Sequence, residues 1–150
     1  MKKLLLIIFV VAITVVFSAC EKDSFAGEGE GQLYADKEQA GVMLTITKID
    51  DGVIYYKLTC DDTAGELTVG NAQDAILEKW VGNEWRQLKC SAGFAWTMEA
   101  YAVTPQVPFE GGLTVSRKYG SLKPGKYRLV KSFTSTEGSF SAKAEFEAGK

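Results

Sequence analysis

Residues 113–133 constrain the fold more than any other part of this chain. At their centre, Lys123-Pro124-Gly125 is a turn signal, because proline presets φ for one central position of a β-turn and glycine tolerates a positive φ at the next. We predict a strand before this corner and another after it. The second strand alternates, and the face that we predict to point into the core carries Tyr127, Leu129, Lys131 and Phe133.

The spacing of Gly125 and Tyr127 is that of a tyrosine corner. In this motif, a tyrosine near the start of a late strand of a β-sandwich donates a hydrogen bond to upstream backbone. The alternative is an ordinary hairpin whose tyrosine lies beside the turn.

Turn signals divide the rest of the chain into short strands. Asp50-Asp51-Gly52 predicts a hairpin between strands at residues 42–49 and 53–60. A second hairpin is predicted around Val81-Gly82-Asn83, where Trp80 and Trp85 flank the turn and can pack across it. We favour one of these tryptophans covering the core and the other capping the hairpin over an exposed aromatic patch of the kind that binds glycans.

The C-terminal third adds further strand signals. Residues 105–112 are rich in proline and glycine and predict a link without regular structure, and alternation over residues 140–146 predicts a half-buried last strand. No amphipathic helical segment of useful length is present. The whole pattern predicts an all-β fold, an antiparallel sandwich of about seven strands.

Residues 90–104 are less regular but carry more apolar area than a surface loop needs. We predict that this segment lies over the sandwich or contributes an edge strand. If the domain has a ligand patch, we expect it here, and its candidate residues are Phe94, Trp96 and Tyr101.

The residues that most enzymes need are missing. The chain has no histidine, which removes histidine-based triads, histidine metal ligands and the usual general base. The acidic pairs Asp50/Asp51 and Asp61/Asp62 lie at opposite ends of a strand, roughly 25–30 Å apart, and do not form a calcium loop. We therefore predict no enzymatic activity, no cofactor and no metal, with a glycosidase pair of carboxylates as the remote alternative.

The N-terminus has the three regions of an export signal. Lys2 and Lys3 precede an uncharged apolar run at residues 4–17, which is shorter than the roughly 20 residues that a membrane span needs. Phe17-Ser18-Ala19-Cys20 resembles the bacterial lipobox, with Phe17 where leucine is usual. The resemblance implies that Cys20 is thioether-linked to diacylglycerol and becomes the mature N-terminus. The alternatives are a plain signal peptide and an uncleaved anchor.

Cleavage would divide the chain into three parts. We predict a signal peptide at residues 1–19, a flexible tether at residues 20–32, which are polar and glycine-rich, and a domain at residues 33–150. Removing the signal takes away Lys2 and Lys3 and none of the 19 acidic residues, so the formal charge changes from −2 to −4. This balance argues against nucleic acid or an anionic membrane surface as an electrostatic partner, and it predicts membrane contact through the lipid on Cys20 alone.

The two remaining cysteines, Cys60 and Cys90, can form one disulfide in an oxidising compartment. Such a bridge closes a loop of about 30 residues and stabilises by roughly 3–4 kcal/mol in the chain-entropy model. Two reduced thiols that behave as small apolar residues are the alternative.

Two segments resemble a bacterial Ig-like domain family of secreted proteins and lipoproteins. One is the tryptophan hairpin at residues 77–85, and the other, residues 119–131, matches the pattern Y-G-x-L-x-P-G-x-Y-R-hydrophobic-V-K. The resemblance covers residues 41–147. It implies an Ig-like sandwich at the bacterial cell envelope and brings no catalytic residues with it.

The sequence therefore predicts a lipid-anchored, non-enzymatic module that binds an envelope protein, peptide or glycan. A structural spacer or a sensor lipoprotein is the second hypothesis. A small envelope hydrolase, or an Ig-like inhibitor of one, is the third. Exposed aromatic side chains at residues 94–101 would favour binding, and a flat polar surface would favour the spacer.

Overall fold

The computed structural model describes residues 24–26, 34–91 and 93–149. The predicted signal peptide and Cys20 lie outside these residues, as does the predicted tether apart from residues 24–26. Nine strands run through the described part: β1 Val42–Asp50, β2 Val53–Cys60, β3 Leu67–Gly70, β4 Ile76–Val81, β5 Glu84–Gln87, β6 Ala100–Val103, β7 Phe109–Thr114, β8 Gly125–Ser135 and β9 Gly138–Ala148. Its helical elements are a 3-10 turn, Ala72–Asp74, and the four-residue α1, Val115–Lys118.

The strands form two antiparallel sheets. The smaller sheet has the order β1-β2-β7, and the larger has the order β5-β4-β8-β3-β6 with β9 on the opposite side of β8. Buried apolar side chains from both sheets form one core cluster between them. The all-β antiparallel sandwich is thus confirmed, with nine described strands where about seven were predicted.

Strand β8 organises the larger sheet. Along one edge it pairs with β9 over its whole length, from Gly125 to Ser135. Along the other edge it pairs first with β4, up to Val130, and then with β3, from Phe133. The chain passes from β3 to β4 between these two ladders, through residues 70–75, which we call the crossover segment.

The alternation predicted for β8 is confirmed. Tyr127, Leu129, Lys131 and Phe133 are all buried, as predicted; on the other face Arg128 is half-buried, but Val130 is buried too. The hydroxyl of Tyr127 donates a 2.7 Å hydrogen bond to the carbonyl oxygen of Lys123, four residues upstream. The tyrosine corner is therefore present, and it ties the start of β8 to the preceding turn.

The predicted hairpin turns are also present. Asp51 and Gly52 both have positive φ, 46° and 72°, as the tight two-residue turn between β1 and β2 requires. Asp61 closes the next turn, where its carboxylate accepts hydrogen bonds from the amides of Thr63 and Ala64 at 2.9 and 3.2 Å. This explains the role of Asp61 without a metal.

Two predictions around β7 are wrong. Residues 109–114 are a strand that pairs with β2, not a link, and the expected strand continues only to Thr114 before α1 begins. The glycines that suggested a link serve close packing. A Cβ at Gly111 would lie 2.8 Å from the Cβ of Ala72, so the crossover segment can approach this strand only because the side chain is absent.

Candidate functional site

Buried side chains donate hydrogen bonds to the backbone carbonyl oxygens of the crossover segment. Because such groups are costly to bury unpaired, these contacts explain why two lysines lie inside an apolar sandwich. The donors and acceptors are Lys131 Nζ to the oxygens of Gly70 (3.1 Å) and Asn71 (2.7 Å), Tyr56 Oη to Ala72 (2.9 Å), and Lys118 Nζ to Gln73 (2.7 Å) and Ala75 (2.8 Å).

Lys131 also forms an ion pair with Asp74. Its side chain is 0% exposed, and the carboxylate that balances its charge is 29% exposed. Burial lowers the pKa of Lys131, and the charge of Asp74 opposes that shift. The pair therefore joins β8 to the crossover segment inside the protein.

Lys118 occupies an aromatic cage at the end of α1. Its ammonium lies 4.6 Å from the ring centroid of Trp96, 5.5 Å from that of Tyr119 and 5.7 Å from that of Phe94. Cation–π contacts of this kind hold the aromatic rings against the positive charge. Lys118 thus connects the crossover segment to residues 93–98, which we call the aromatic segment.

Burial lowers the pKa of Lys118 to about 8, with the charges of Cys90 and Asp74 opposing the shift and Lys131 adding to it. Between this value and the ordinary 10.5, the unfolded chain binds a proton that the folded chain lacks. We therefore expect the free energy of unfolding of the wild type, relative to Lys118→Met, to rise with pH above about 8.

Urea denaturation of both proteins at several pH values from neutral to alkaline tests this expectation. The difference between the two proteins isolates Lys118 from the other groups that titrate in this range. A difference that does not change with pH would contradict a lowered pKa for Lys118.

The aromatic segment presents apolar side chains to solvent. Trp96 is 41% exposed and Met98 is 100% exposed, while Phe94 is half-buried with its ring centroid 5.7 Å from that of Trp96. The segment has no strand pairing before Ala100, where β6 begins. Its rings are therefore held by the Lys118 cage and not by a β-ladder.

The structure brings two of the three predicted patch residues together and sets the third apart. Phe94 and Trp96 are neighbours, whereas Tyr101 lies on β6 with its ring 5.4 Å from Phe109. Polar contacts join the two parts, since Asn71 donates to both Thr97 and Glu99, and the hydroxyl of Tyr101 donates to Glu99. Tyr101 is 43% exposed, so all three rings reach the surface to some degree.

Two cavities border the aromatic segment, and Trp96 lines both. One, of about 490 Å³, is mostly polar and includes Arg117. The other, of about 540 Å³, is mostly apolar and includes Ala26, Lys89 and Lys118. The described residues contain no group of three or more histidine, cysteine or acidic side chains that could hold a metal ion.

The possible disulfide between Cys60 and Cys90 is not present in the structure, where both cysteines are free. Cys60 ends β2 and is buried, with its Sγ 3.7 Å from the carbonyl oxygen of Val103. Cys90 follows β5, is half-buried, and contacts the carbonyl oxygen of Ser91. Cys60 belongs to the core cluster as a small apolar residue, as the alternative expects, whereas Cys90 does not.

The tryptophan hairpin is a separate surface. Trp80 and Trp85 face each other across β4 and β5, with ring centroids 5.1 Å apart, which confirms the predicted cross-strand packing. Trp80 is 41% exposed, and the guanidinium of Arg128 lies 4.6 Å from the ring centroid of Trp85. Neither ring belongs to the core cluster, so the expectation that one of them covers the core is wrong.

The described part of the predicted tether is paired with the sheet. The amide of Ala26 donates to Gln87 at 3.0 Å, the amide of Lys89 donates to Ser24 at 2.9 Å, and Phe25 lies opposite Leu88 in an antiparallel bridge. The guanidinium of Arg86 lies 5.7 Å from the Phe25 ring. Sequence reasoning missed this contact, and its one available signal was Phe25 itself, a large apolar residue in a polar stretch.

Two sheets, their antiparallel pairing and the tyrosine corner define an immunoglobulin-like β-sandwich with an exposed aromatic segment on one side. The chain belongs to the family described as bacterial Ig-like domain, whose family model matches residues 38–147. This confirms the family resemblance. No curated protein and no solved structure shows significant similarity to the chain.

The family is typical of bacterial surface and exported proteins, and it is generally non-catalytic. Within the described residues, no helix is long and apolar enough to cross a membrane. Membership of this family suggests a non-enzymatic interaction module.

Proposed function

We propose that this protein is a lipid-anchored component of the bacterial cell envelope whose Ig-like sandwich makes non-enzymatic contacts through the aromatic segment and the neighbouring Tyr101. The anchor is diacylglycerol on Cys20, added after removal of residues 1–19. The partner is an envelope component, with a protein, a peptide and a glycan as the classes the sequence suggests.

One observation supports the contact surface above the others. Trp96 and Met98 are 41% and 100% exposed on a segment that Lys118 holds against the sandwich from below. Exposed apolar side chains that cluster on a soluble domain indicate an interaction site. The same exposure favours binding over the alternative of a spacer, which needs no apolar surface.

The anchor is tested on the mature protein. We expect mass spectrometry to find diacylglycerol on Cys20 at the N-terminus, and we expect Cys20→Ala to abolish partition into the detergent phase. A Cys20→Ala protein that still partitions with membranes would contradict lipid anchoring. The conclusion rests on the sequence motif, because Cys20 lies outside the described residues.

The contact surface is tested by sedimentation of an unanchored chain, residues 20–150 with Cys20→Ala, with isolated cell envelopes. Trp96→Ala is expected to lower the bound fraction several-fold. Trp80→Ala is the matched control, because Trp80 has the same 41% exposure on the tryptophan hairpin. Equal loss from both variants, or none from Trp96→Ala, would reject the aromatic segment as the contact surface.

A further inference from the structure

We propose that the aromatic segment lies against the outer layer of the membrane that holds the lipid anchor, so that the partner of this surface is the phospholipid headgroup region. This inference rests on the proposed lipid on Cys20. It names phospholipid, in place of a protein, peptide or glycan, as the partner of the proposed contact surface, and so departs from the expectation that the lipid alone contacts the membrane. Three observations support it. They are the pairing of Ser24–Ala26 with the edge of the larger sheet, the direction of that pairing, and the exposed side chains of the aromatic segment and its neighbours.

The pairing sets how far the sandwich can lie from the membrane. Ser24 is fixed to Lys89 by a 2.9 Å backbone hydrogen bond. Ser24 is four positions along the chain from Cys20, and a chain extends by at most about 3.6 Å per residue, so Ser24 lies within about 14 Å of the lipidated cysteine. A thioether-linked glycerol lies at headgroup depth, and the domain is therefore held next to the bilayer instead of at the end of a 13-residue tether.

The direction of the pairing selects the side that faces the membrane. Because the bridge between Phe25 and Leu88 is antiparallel, Ser24 lies beside Lys89 and Ala26 lies beside Gln87. The chain that leads back to Cys20 therefore leaves at the Lys89 end of this edge, away from the tip of the tryptophan hairpin. Lys89, which is hydrogen-bonded to Ser24, and Trp96 line one cavity, so the aromatic segment lies near the end of the pairing from which the chain runs back to Cys20.

The side chains on this side suit a membrane interface. Trp96 and Met98 are exposed apolar groups, and tryptophan is enriched where membranes meet water. Lys89 and Arg117 are exposed cations beside them, which anionic headgroups attract. The carboxylate of Glu99 lies nearby and stays negatively charged, because hydrogen bonds, first of all from Tyr101, lower its pKa, so it offsets one of these two cations.

The overall negative charge does not describe this local surface. The predicted mature chain has a formal charge of −4. On this side, however, Lys89 and Arg117 are exposed, and the ammonium of Lys118 lies 4.6 Å from the ring centroid of Trp96. A lipid anchor that is supported by a second, protein-based contact binds more persistently than either alone.

The test uses the full lipidated protein reconstituted in vesicles of phosphatidylcholine and phosphatidylglycerol, with and without brominated acyl chains. Trp80→Phe/Trp85→Phe retains Trp96 as the single tryptophan, and Trp85→Phe/Trp96→Phe retains Trp80. We expect brominated lipid to quench Trp96 several-fold more than Trp80. A second variant carries about ten Gly-Ser residues inserted between Asp23 and Ser24. It keeps the lipid anchor but lengthens the short connection between the anchor and the sandwich.

The insertion is expected to leave the lipid in place and to reduce quenching of Trp96 towards that of Trp80. A lipidated protein whose Trp96 is quenched no more than Trp80 would overturn the inference while leaving the anchor intact, and would point to a protein or glycan partner. A mature protein without lipid on Cys20 would overturn both.

Discussion

Replacing Asp74 with alanine is expected to lower the free energy of unfolding by about 3 kcal/mol, near the lower end of the range for breaking a buried ion pair. The ammonium of Lys131 is 0% exposed, and in the described part of the chain Asp74 is the carboxylate paired with it. Without that carboxylate, a buried charge remains uncompensated. The 29% exposure of Asp74 places the effect at the lower end, because water already screens part of the interaction.

Urea denaturation at neutral pH measures this effect, and two controls separate its causes. Asp36→Ala removes a carboxylate that is 65% exposed from its pair with Lys143, and we expect a much smaller change, because water screens this pair. In the double variant Asp74→Ala/Lys131→Met, no charge is left unpaired, so part of the lost stability should return. Equal effects of Asp36→Ala and Asp74→Ala would show that the buried pair contributes no more than a surface one.

Replacing Tyr127 with alanine is expected to cost about 3–5 kcal/mol, the range for truncating a large buried ring. Tyr127 is 0% exposed, its ring stacks on Phe146 with centroids 5.6 Å apart, and it lies at the start of β8, which pairs with three other strands. Truncation leaves a cavity at the start of β8, where Tyr127 joins the larger sheet to the preceding turn.

Tyr127→Phe isolates the tyrosine corner from the packing of the ring. It removes the 2.7 Å hydrogen bond to Lys123 and keeps the aromatic contacts, so we expect a loss of about 1 kcal/mol. The same denaturation measurement applies to both variants. If Tyr127→Phe were as stable as the wild type, the hydrogen bond of the corner would not contribute to stability in this domain.

Local patterns identified most of the strands. The turn at Asp51-Gly52, the alternation of β8 and the tyrosine corner can each be read over a few residues, because φ preference and side-chain direction are local properties. The alternation of β8 also predicts that Lys131 faces the core. Its partner Asp74 was not identified, since the ion pair joins residues 57 positions apart.

The errors arose where packing overrides local preference. Gly111 and Gly112 suggest a turn, yet they lie in β7, because the crossover segment approaches Gly111 too closely for a side chain. The same crossover explains the buried Lys118, whose two carbonyl partners belong to a segment more than 40 residues away. No pattern in either stretch alone predicts the other.

The sequence by itself determined the antiparallel β-sandwich and the family, because strand alternation, turn residues and the family pattern are each properties of short segments. The tertiary structure alone decided that two lysines are buried against the crossover segment, that Cys60 and Cys90 remain apart, and that Ser24–Ala26 join the sheet edge. Each of these depends on distant segments meeting in space, where the need to satisfy buried polar groups and fill the core outweighs the preference of any single residue.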